Sequence, residues 1–589
     1  MSSARSAAAT AGATLGLILI VGVRASAAQV SPNDCVPGEE LAAAAASGRR
    51  IHEVRIVSAP PVSVAGFREP LHVTTRDRTI RQRLLMTAGD TVDTLRVAES
   101  LRRVRRLRFL TGAVITSSCA RGGDVDVTVA TRDGWSMRPR IKLRSSSSAL
   151  VGLEESNLFG TGRSTRIYMR EDPGQLAVGA SYTDPALLGS TIGATVSRDV
   201  FRDGTSWGLI AATRDVGAFQ RTNVVALASR SVRESSPQPS SSIAGDTVRR
   251  AMGSLLLSQR VAMSPSGGTF VQLGVEGERT LLVAGSTLPI VGPASVRRSF
   301  VGVDVGAARH TLRYVGVRWL TPPDNRSDQL DAGVADIPLG WTTDALIGIG
   351  RDFAAARPAA HLDVWAGRVW SLGRSRGTAE PRGLLVGDAW ASGYRALHGG
   401  GSDWSAGSLR TSLTLARPAS RGLWTTRIAA ERLLDPDPDT RGLAMSDPVL
   451  RAFPPASRLA ESTVSASVDR SRHIVDVPGG YVLGASVFAA ASMRWDPAAR
   501  SGIDAGVPGG TRFGVTAAVP TSETINGERL YVGSLGAGLL FTPHRFGRSA
   551  IRVDVGFPVV RSRHIAQRPY VSFTLTPPFG FGRQRSGAP

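Results

Sequence analysis

Lysine is almost missing from this chain: Lys142 is the only one among 70 basic residues. Against 48 acidic residues the arginines leave a formal charge of +22. No basic motif interleaved with aromatics accompanies that charge, so it carries no nucleic-acid footprint. It fits arginines lining a polar lumen or meeting anionic lipid head groups. Long apolar runs are missing as well. After residue 23 none approaches the ~20 residues that a spanning helix requires. If such a chain crosses a membrane it does so as a closed sheet, because every backbone polar group in lipid needs a partner. Catalytic signatures are also absent. There is no GxSxG, no HExxH and no GxxxxGK followed by Ser or Thr, and the eight histidines (52, 72, 310, 361, 398, 473, 544, 564) show no metal-ligand spacing. His473 beside Asp476 reads as an exposed loop pair. The expectation is a non-enzyme without cofactor or metal.

Cysteine is scarce, and both copies, Cys35 and Cys119, precede the region of strongest strand alternation. In an exported chain a bond between them would close a long loop and contribute roughly 4 kcal/mol in the chain-entropy model. Two free thiols fit the sequence equally well.

What is present begins with an export signal. Arg5 gives a positive start, Ala7–Val23 is apolar, and Ala25-Ser26-Ala27 is a small-residue cleavage site, so residues 1–27 read as a signal peptide. Cys35 follows Pro32-Asn33-Asp34 rather than a lipobox, which argues against a lipid anchor. Residues 28–50 are a polar, Ala-rich lead-in. A small domain is expected over 51–134. It starts with the strand IHEVRIVS, followed by a helix-like TIRQRLLM that stops at Ala88-Gly89-Asp90. Asp93 then caps a second helix whose Val97, Leu101, Val104 and Leu107 recur at helical spacing. The strands LTGAVITS and DVDVTVATRD close the unit, with Val125, Val127 and Val129 on one face.

From residue 135 to 582 period-two alternation dominates, leaving 583–589 as a tail. In the stretch 152–189, Thr165, Ile167 and Met169 oppose Arg166, Tyr168 and Arg170; after a turn at 171–175, Leu176, Val178, Ala180 and Tyr182 oppose Ala177, Gly179 and Ser181. That is a β-hairpin with one apolar and one polar or side-chain-free face. Val301, Val303 and Val305 repeat the pattern, as do Leu535, Ala537 and Leu539, and Ile551, Val553 and Val555. Sustained over hundreds of residues, this predicts a transmembrane antiparallel β-barrel of about 16 strands. Tyr314, Trp319, Trp341 and Trp365 are candidates for interface girdles, and 231–246 and 433–447 for external loops.

The residues carry a family resemblance. LLMTAGDTVD, VAESLRRVRRLRFL and VDVTVATRD resemble a single POTRA domain, and SNLFGTG, YTDPALLG, YVGSLGAGLLFTP, SAIRVDVGFPV and RPYVSFTLTPPF resemble a bacterial surface-antigen barrel. Together these resemble the outer-membrane protein assembly-factor superfamily across nearly the whole mature chain. The resemblance implies an outer-membrane barrel with its POTRA-like domain in the periplasm. The implied function is insertion of barrel proteins, or movement of a polypeptide across the membrane. A passive pore or lipid-export channel of the same fold is the alternative, with a barrel hydrolase behind it. Implied partners are outer-membrane lipid, unfolded barrel or secreted polypeptide clients, and periplasmic accessory proteins. Leu450-Arg451-Ala452-Phe453-Pro454 is similar to the family's lumen-loop motif, which implies that Arg451 and Phe453 fold back into the barrel and that Asp469 is the wall partner of Arg451. Ala452 stands where the family has Gly. The resemblance further implies a lateral seam between the first and last strands, involving Ile141, Leu143, Phe573 and Leu575, with Pro577 and Pro578 unable to donate to a ladder.

Overall fold

The computed structural model describes residues 44–45, 48–61, 72–107, 109–120, 123–145, 148–172, 175–201, 204–214, 219–234, 247–264, 266–283, 295–318, 334–354, 356–373, 381–397, 404–419, 422–434, 462–477, 481–495, 530–543, 550–560 and 570–576. It begins with a small domain: β1 (Ile51–Ala59), α1 (Asp77–Arg81), α2 (Thr94–Arg105), β2 (Leu110–Cys119) and β3 (Val125–Asp133). The sheet order is β1-β3-β2, with β1 parallel and β2 antiparallel to the central β3. Val125, Val127 and Val129 point into the core, where Val97, Val104 and Leu107 of the helical face and the turn after it meet them. Asp93 caps α2 as the sequence requires, accepting from the Leu95 and Arg96 amides at 2.8 and 3.2 Å.

Two expectations change here. The first helix ends at Arg81 rather than running on to residue 86. Beyond it the backbone turns, and the Leu85 amide donates to the buried Ser100 hydroxyl of α2 at 2.8 Å instead of continuing a ladder. The lead-in also contributes to the fold, since Ala44 is buried in the same core. Cys119 is disulfide-bonded, and the chain's only other cysteine is Cys35, which lies outside the described residues.

The rest of the chain is a closed antiparallel barrel. Its first ten strands are β4 (Met137–Ser145), β5 (Ser148–Leu158), β6 (Arg163–Asp172), β7 (Gln175–Asp184), β8 (Ile192–Phe201), β9 (Gly204–Thr213), β10 (Thr222–Glu234), β11 (Thr247–Ser264), β12 (Gly267–Val283) and β13 (Ser295–Thr311). A separate hairpin, β14 (Tyr314–Arg318) and β15 (Val334–Pro338), follows. The ring resumes with β16 (Gly340–Asp352), β17 (Arg357–Ser371), β18 (Leu384–Ala396), β19 (Trp404–Ala419) and β20 (Gly422–Leu434). It finishes with β21 (Ser462–Val477), β22 (Tyr481–Trp495), β23 (Leu530–Pro543), β24 (Ala550–Val560) and β25 (Tyr570–Thr576). Among the described residues the ring therefore holds 20 strands rather than about 16, and β25 lies beside β4. The shortfall came from allotting roughly 28 residues to each strand and its connection; the first six strands, β4–β9, are 9–11 residues long and joined by short turns.

The barrel is inside-out relative to a soluble core. Ile167, Met169, Val178, Val301, Val303, Val305, Ile347 and Ile349 are exposed on the outer wall, while their alternate neighbours face inward. An apolar belt around a polar lumen defines a transmembrane barrel. Of the girdle candidates, Trp341 is exposed on this wall. Tyr314 instead belongs to the β14–β15 hairpin, and Trp365 shares the inward face of β17 with His361; Trp319 lies outside the described residues. The loop candidates largely do too: β10 runs to Glu234 and β20 to Leu434, and 235–246 and 435–447 are not described.

The small domain docks on one end of the barrel through SNLFGTG. In the turn after β5, the Gly160 carbonyl accepts from the Arg76 amide (3.0 Å) and the Thr79 hydroxyl (3.1 Å). Asn157 accepts from the Gly162 amide at 2.8 Å and donates to the Thr75 hydroxyl at 2.9 Å. Thr75 in turn donates to the fully buried Asp133 carboxylate at 2.7 Å. Gly162 has φ +72° and lies against the Phe109 ring, where a Cβ would be both strained and crowded. A second contact comes from the β14–β15 hairpin. Its Ile337 packs on Val369, Leu384, Ala416 and Leu423, inward residues at the domain end of β17–β20. Asp336 pairs with Arg105 of α2 at 3.6 Å, and Arg102 lies 4.2 Å over the Tyr314 ring. The hairpin thus sits against the inner wall at that end, held by the small domain.

Asn157→Ala would leave the Thr75 hydroxyl and the Gly162 amide short of a partner, at a cost of about 1–3 kcal/mol. Faster hydrogen exchange at the Gly162 amide, with unchanged heat-modifiable migration of the barrel, is the expected readout. Burial raises the Asp133 carboxyl above its ordinary range. The folded state therefore holds that proton more tightly than the unfolded chain, and this contribution is greatest at acid pH and fades as pH rises through the folded value. Asp133→Asn should flatten the pH dependence of β3 amide protection.

Candidate lumen wall and closing seam

Alternation places Asp469 (β21), Ser486 and Phe488 (β22), Gly536 and Gly538 (β23), and Arg552 and Asp554 (β24) on the inner wall. Register then brings them together: Asp469 lies opposite Phe488, Phe488 opposite Gly536, and Gly538 opposite Asp554. The two glycines supply the space, since a Cβ at Gly536 would meet the Phe488 ring and one at Gly538 the Asp554 carboxylate. Arg552 fills the centre. Its Nε donates to both Asp554 oxygens at 2.7 Å, and its Nη2 reaches Asp469 Oδ2 at 2.7 Å and Ser486 Oγ at 2.8 Å. Asp554 is fully buried and the Arg552 side chain nearly so. The planar guanidinium bridges two carboxylates at once, which an ammonium does less well.

Asp469, expected as the wall partner of Arg451, pairs with Arg552 among the described residues; Arg451 and Phe453, and with them the expected loop contact, lie outside the described residues. His473 is not an exposed loop residue: it is buried within β21. At the seam, β4 and β25 are neighbours in the closed ring. The backbones of Ile141 and Leu143 pair with Val151 and Ala149, and those of Phe573 and Leu575 with Val553 and Ile551. Pro577 and Pro578 lie outside the described residues. Among the described residues β25 spans Tyr570–Thr576.

Sequence reasoning missed Arg552 and Asp554 as members of the cluster. The signal was there: an Arg-x-Asp pair on the inward face of β24, opposite a strand whose inward face is glycine. Alternation reported the face, and only register could report the pairing.

Fold and wall together define a transmembrane antiparallel β-barrel preceded by a small β-α-α-β-β domain. No family model and no curated protein matches the chain. Solved structures that overlap it include BamA from Haemophilus ducreyi lacking POTRA domains 1–3, at 13% identity over 90% of this chain and 85% of that one, with a TM-score of 0.34. CdiB from Escherichia coli overlaps at 13% identity over 89% and 76% of the two chains with a TM-score of 0.40. CdiB from Acinetobacter baumannii does so at 10% identity over 75% and 70%, with a TM-score of 0.35.

Arg552→Ala would remove the buried cation that Asp469 and Asp554 share, at a cost of roughly 3–5 kcal/mol. Urea unfolding of the detergent-solubilised barrel should move to lower denaturant, and Arg552→Lys should recover only part of the loss.

Proposed function

We propose that this chain is a non-enzymatic assembly or translocation factor of the bacterial outer membrane. In this reading the small domain lies in the periplasm, and the barrel inserts other barrel proteins into the membrane or moves a polypeptide across it. The observation that supports the proposal is the way the ring closes: the last strand of the meander, β25, meets the first, β4. Opening that seam presents unpaired N–H and C=O groups to an incoming strand. Clients would pair by β-augmentation, with main-chain bonds providing affinity whatever the client sequence. Unfolded barrel or secreted polypeptides are the clients this edge suits, with lipid as the surrounding partner and periplasmic accessory proteins as further ones.

A passive pore is the weaker reading. The β14–β15 hairpin packs on the inner wall at the domain end and is latched to α2, which narrows the path a free pore would need. The deciding experiment depletes the chain in its own cell and inventories the outer membrane. Loss of a subset of barrel proteins or of a secreted polypeptide is the expected result. Altered lipid with normal barrels would identify a lipid exporter, and no change in either would leave a pore.

A further inference from the structure

A row of inward positions crosses five adjacent strands midway along the lumen. Register aligns Gly274 of β12, Asp304 of β13, Gly348 of β16, His361 of β17 and Tyr394 of β18. Glu276, two residues from Gly274, faces the same way. With no side chain on β16 at this level, the β13 carboxylate and the β17 imidazole meet across it. A Cβ on Gly348 would strike Asp304 Oδ1. His361 Nδ1 lies 2.8 Å from Glu276 Oε1 and 3.8 Å from Asp304 Oδ1. One possible ligand atom from each of the three residues lies within 4.8 Å of the others.

The three atoms are buried and close enough to pair as ions, yet none of them is aligned for a hydrogen bond along the ring N–H. Asp304 is only 5% exposed. Buried polar atoms held only by misaligned contacts are costly, and three that converge would gain from a cation they could share. The imidazole is also held in place. The Tyr394 ring stacks on it at 4.7 Å and 23°, and Tyr394 donates to Glu278 Oε2 at 3.2 Å. Glu278 is itself paired with Arg250 at 2.9 Å, and Phe300 meets Tyr394 edge-on at 5.1 Å.

We infer that Glu276, Asp304 and His361 form a site for a divalent first-row transition metal. One imidazole nitrogen and two carboxylate oxygens make a borderline donor set that suits zinc, leaving a fourth position toward the lumen. Ligand atoms about 2.1 Å from a tetrahedral ion lie about 3.4 Å from each other, a spacing that the observed 2.8 and 3.8 Å bracket. Two carboxylates and a neutral imidazole balance the ion's charge. Tyr394 acts as a positioning residue for the imidazole. The site ties β12, β13 and β17 together half-way round the ring from β25 and β4, and so stiffens the wall opposite the seam.

The test uses the full chain without a histidine tag, solubilised in detergent, stripped with chelator and dialysed against zinc. Elemental analysis should find about one zinc per chain in the wild type. Cobalt in its place should give the visible band of a four-coordinate site. His361→Gln and Asp304→Asn, checked for heat-modifiable migration, should each weaken binding by at least 100-fold. If the wild-type barrel takes up no zinc and shows no cobalt band, the proposal is overturned and the cluster is an ion triad around a protonated His361. Wild-type uptake that both folded variants retain overturns it equally. Should the variants fail to fold, the wild-type cobalt spectrum decides by itself.

Discussion

The constraint on which everything else rests is that a backbone in lipid must pair every N–H and C=O. A sheet meets it only by closing on itself, and closure fixes the rest. The apolar face must look outward, the polar face must be stored inside, and one seam must join the two ends of the meander. The 20-strand ring, the exposed outer valines and isoleucines and the charged lumen are three consequences of that one requirement.

Storing charge inside a barrel needs room, and inward glycine supplies it. Gly536 and Gly538 let Phe488 and Asp554 lie flat against β23, and Gly348 does the same for Asp304 and His361. The glycine abundance of this chain is thus partly a packing device, placing flat rings and carboxylates over bare backbone. The two resulting clusters differ in kind. Around Arg552 a guanidinium already bridges the carboxylates. Around His361 the converging atoms leave a place for a cation.

Faces were readable in the sequence, partners were not. Alternation in 152–189 identified the outward Ile167 and Val178 correctly, and helical spacing found Val97 and Val104, because period is a local property. Asp93 as a cap was equally local. TIRQRLLM misled because a distant hydroxyl, Ser100, takes the amide that would have extended the helix. Asp469 was legible as a candidate, but its pairing with Arg552, 83 positions further on, arises only through the register of three more strands. Glu276, Asp304 and His361 show no motif spacing for the same reason. SNLFGTG was recognisable as a motif, whereas its task, bonding Thr75, Arg76 and Thr79 of the small domain, emerges only from the fold.

In this account the seam between β4 and β25 is the working edge and the opposite arc is the fixed wall. The most direct measurement is a disulfide lock: cysteine pairs scanned between Ile141–Leu143 and Phe573–Leu575, with formation of the bond read alongside the outer-membrane protein inventory of the cell. The account predicts that the oxidised lock mimics depletion of the chain and that reductant restores function. A fully formed lock with an unchanged inventory would contradict it.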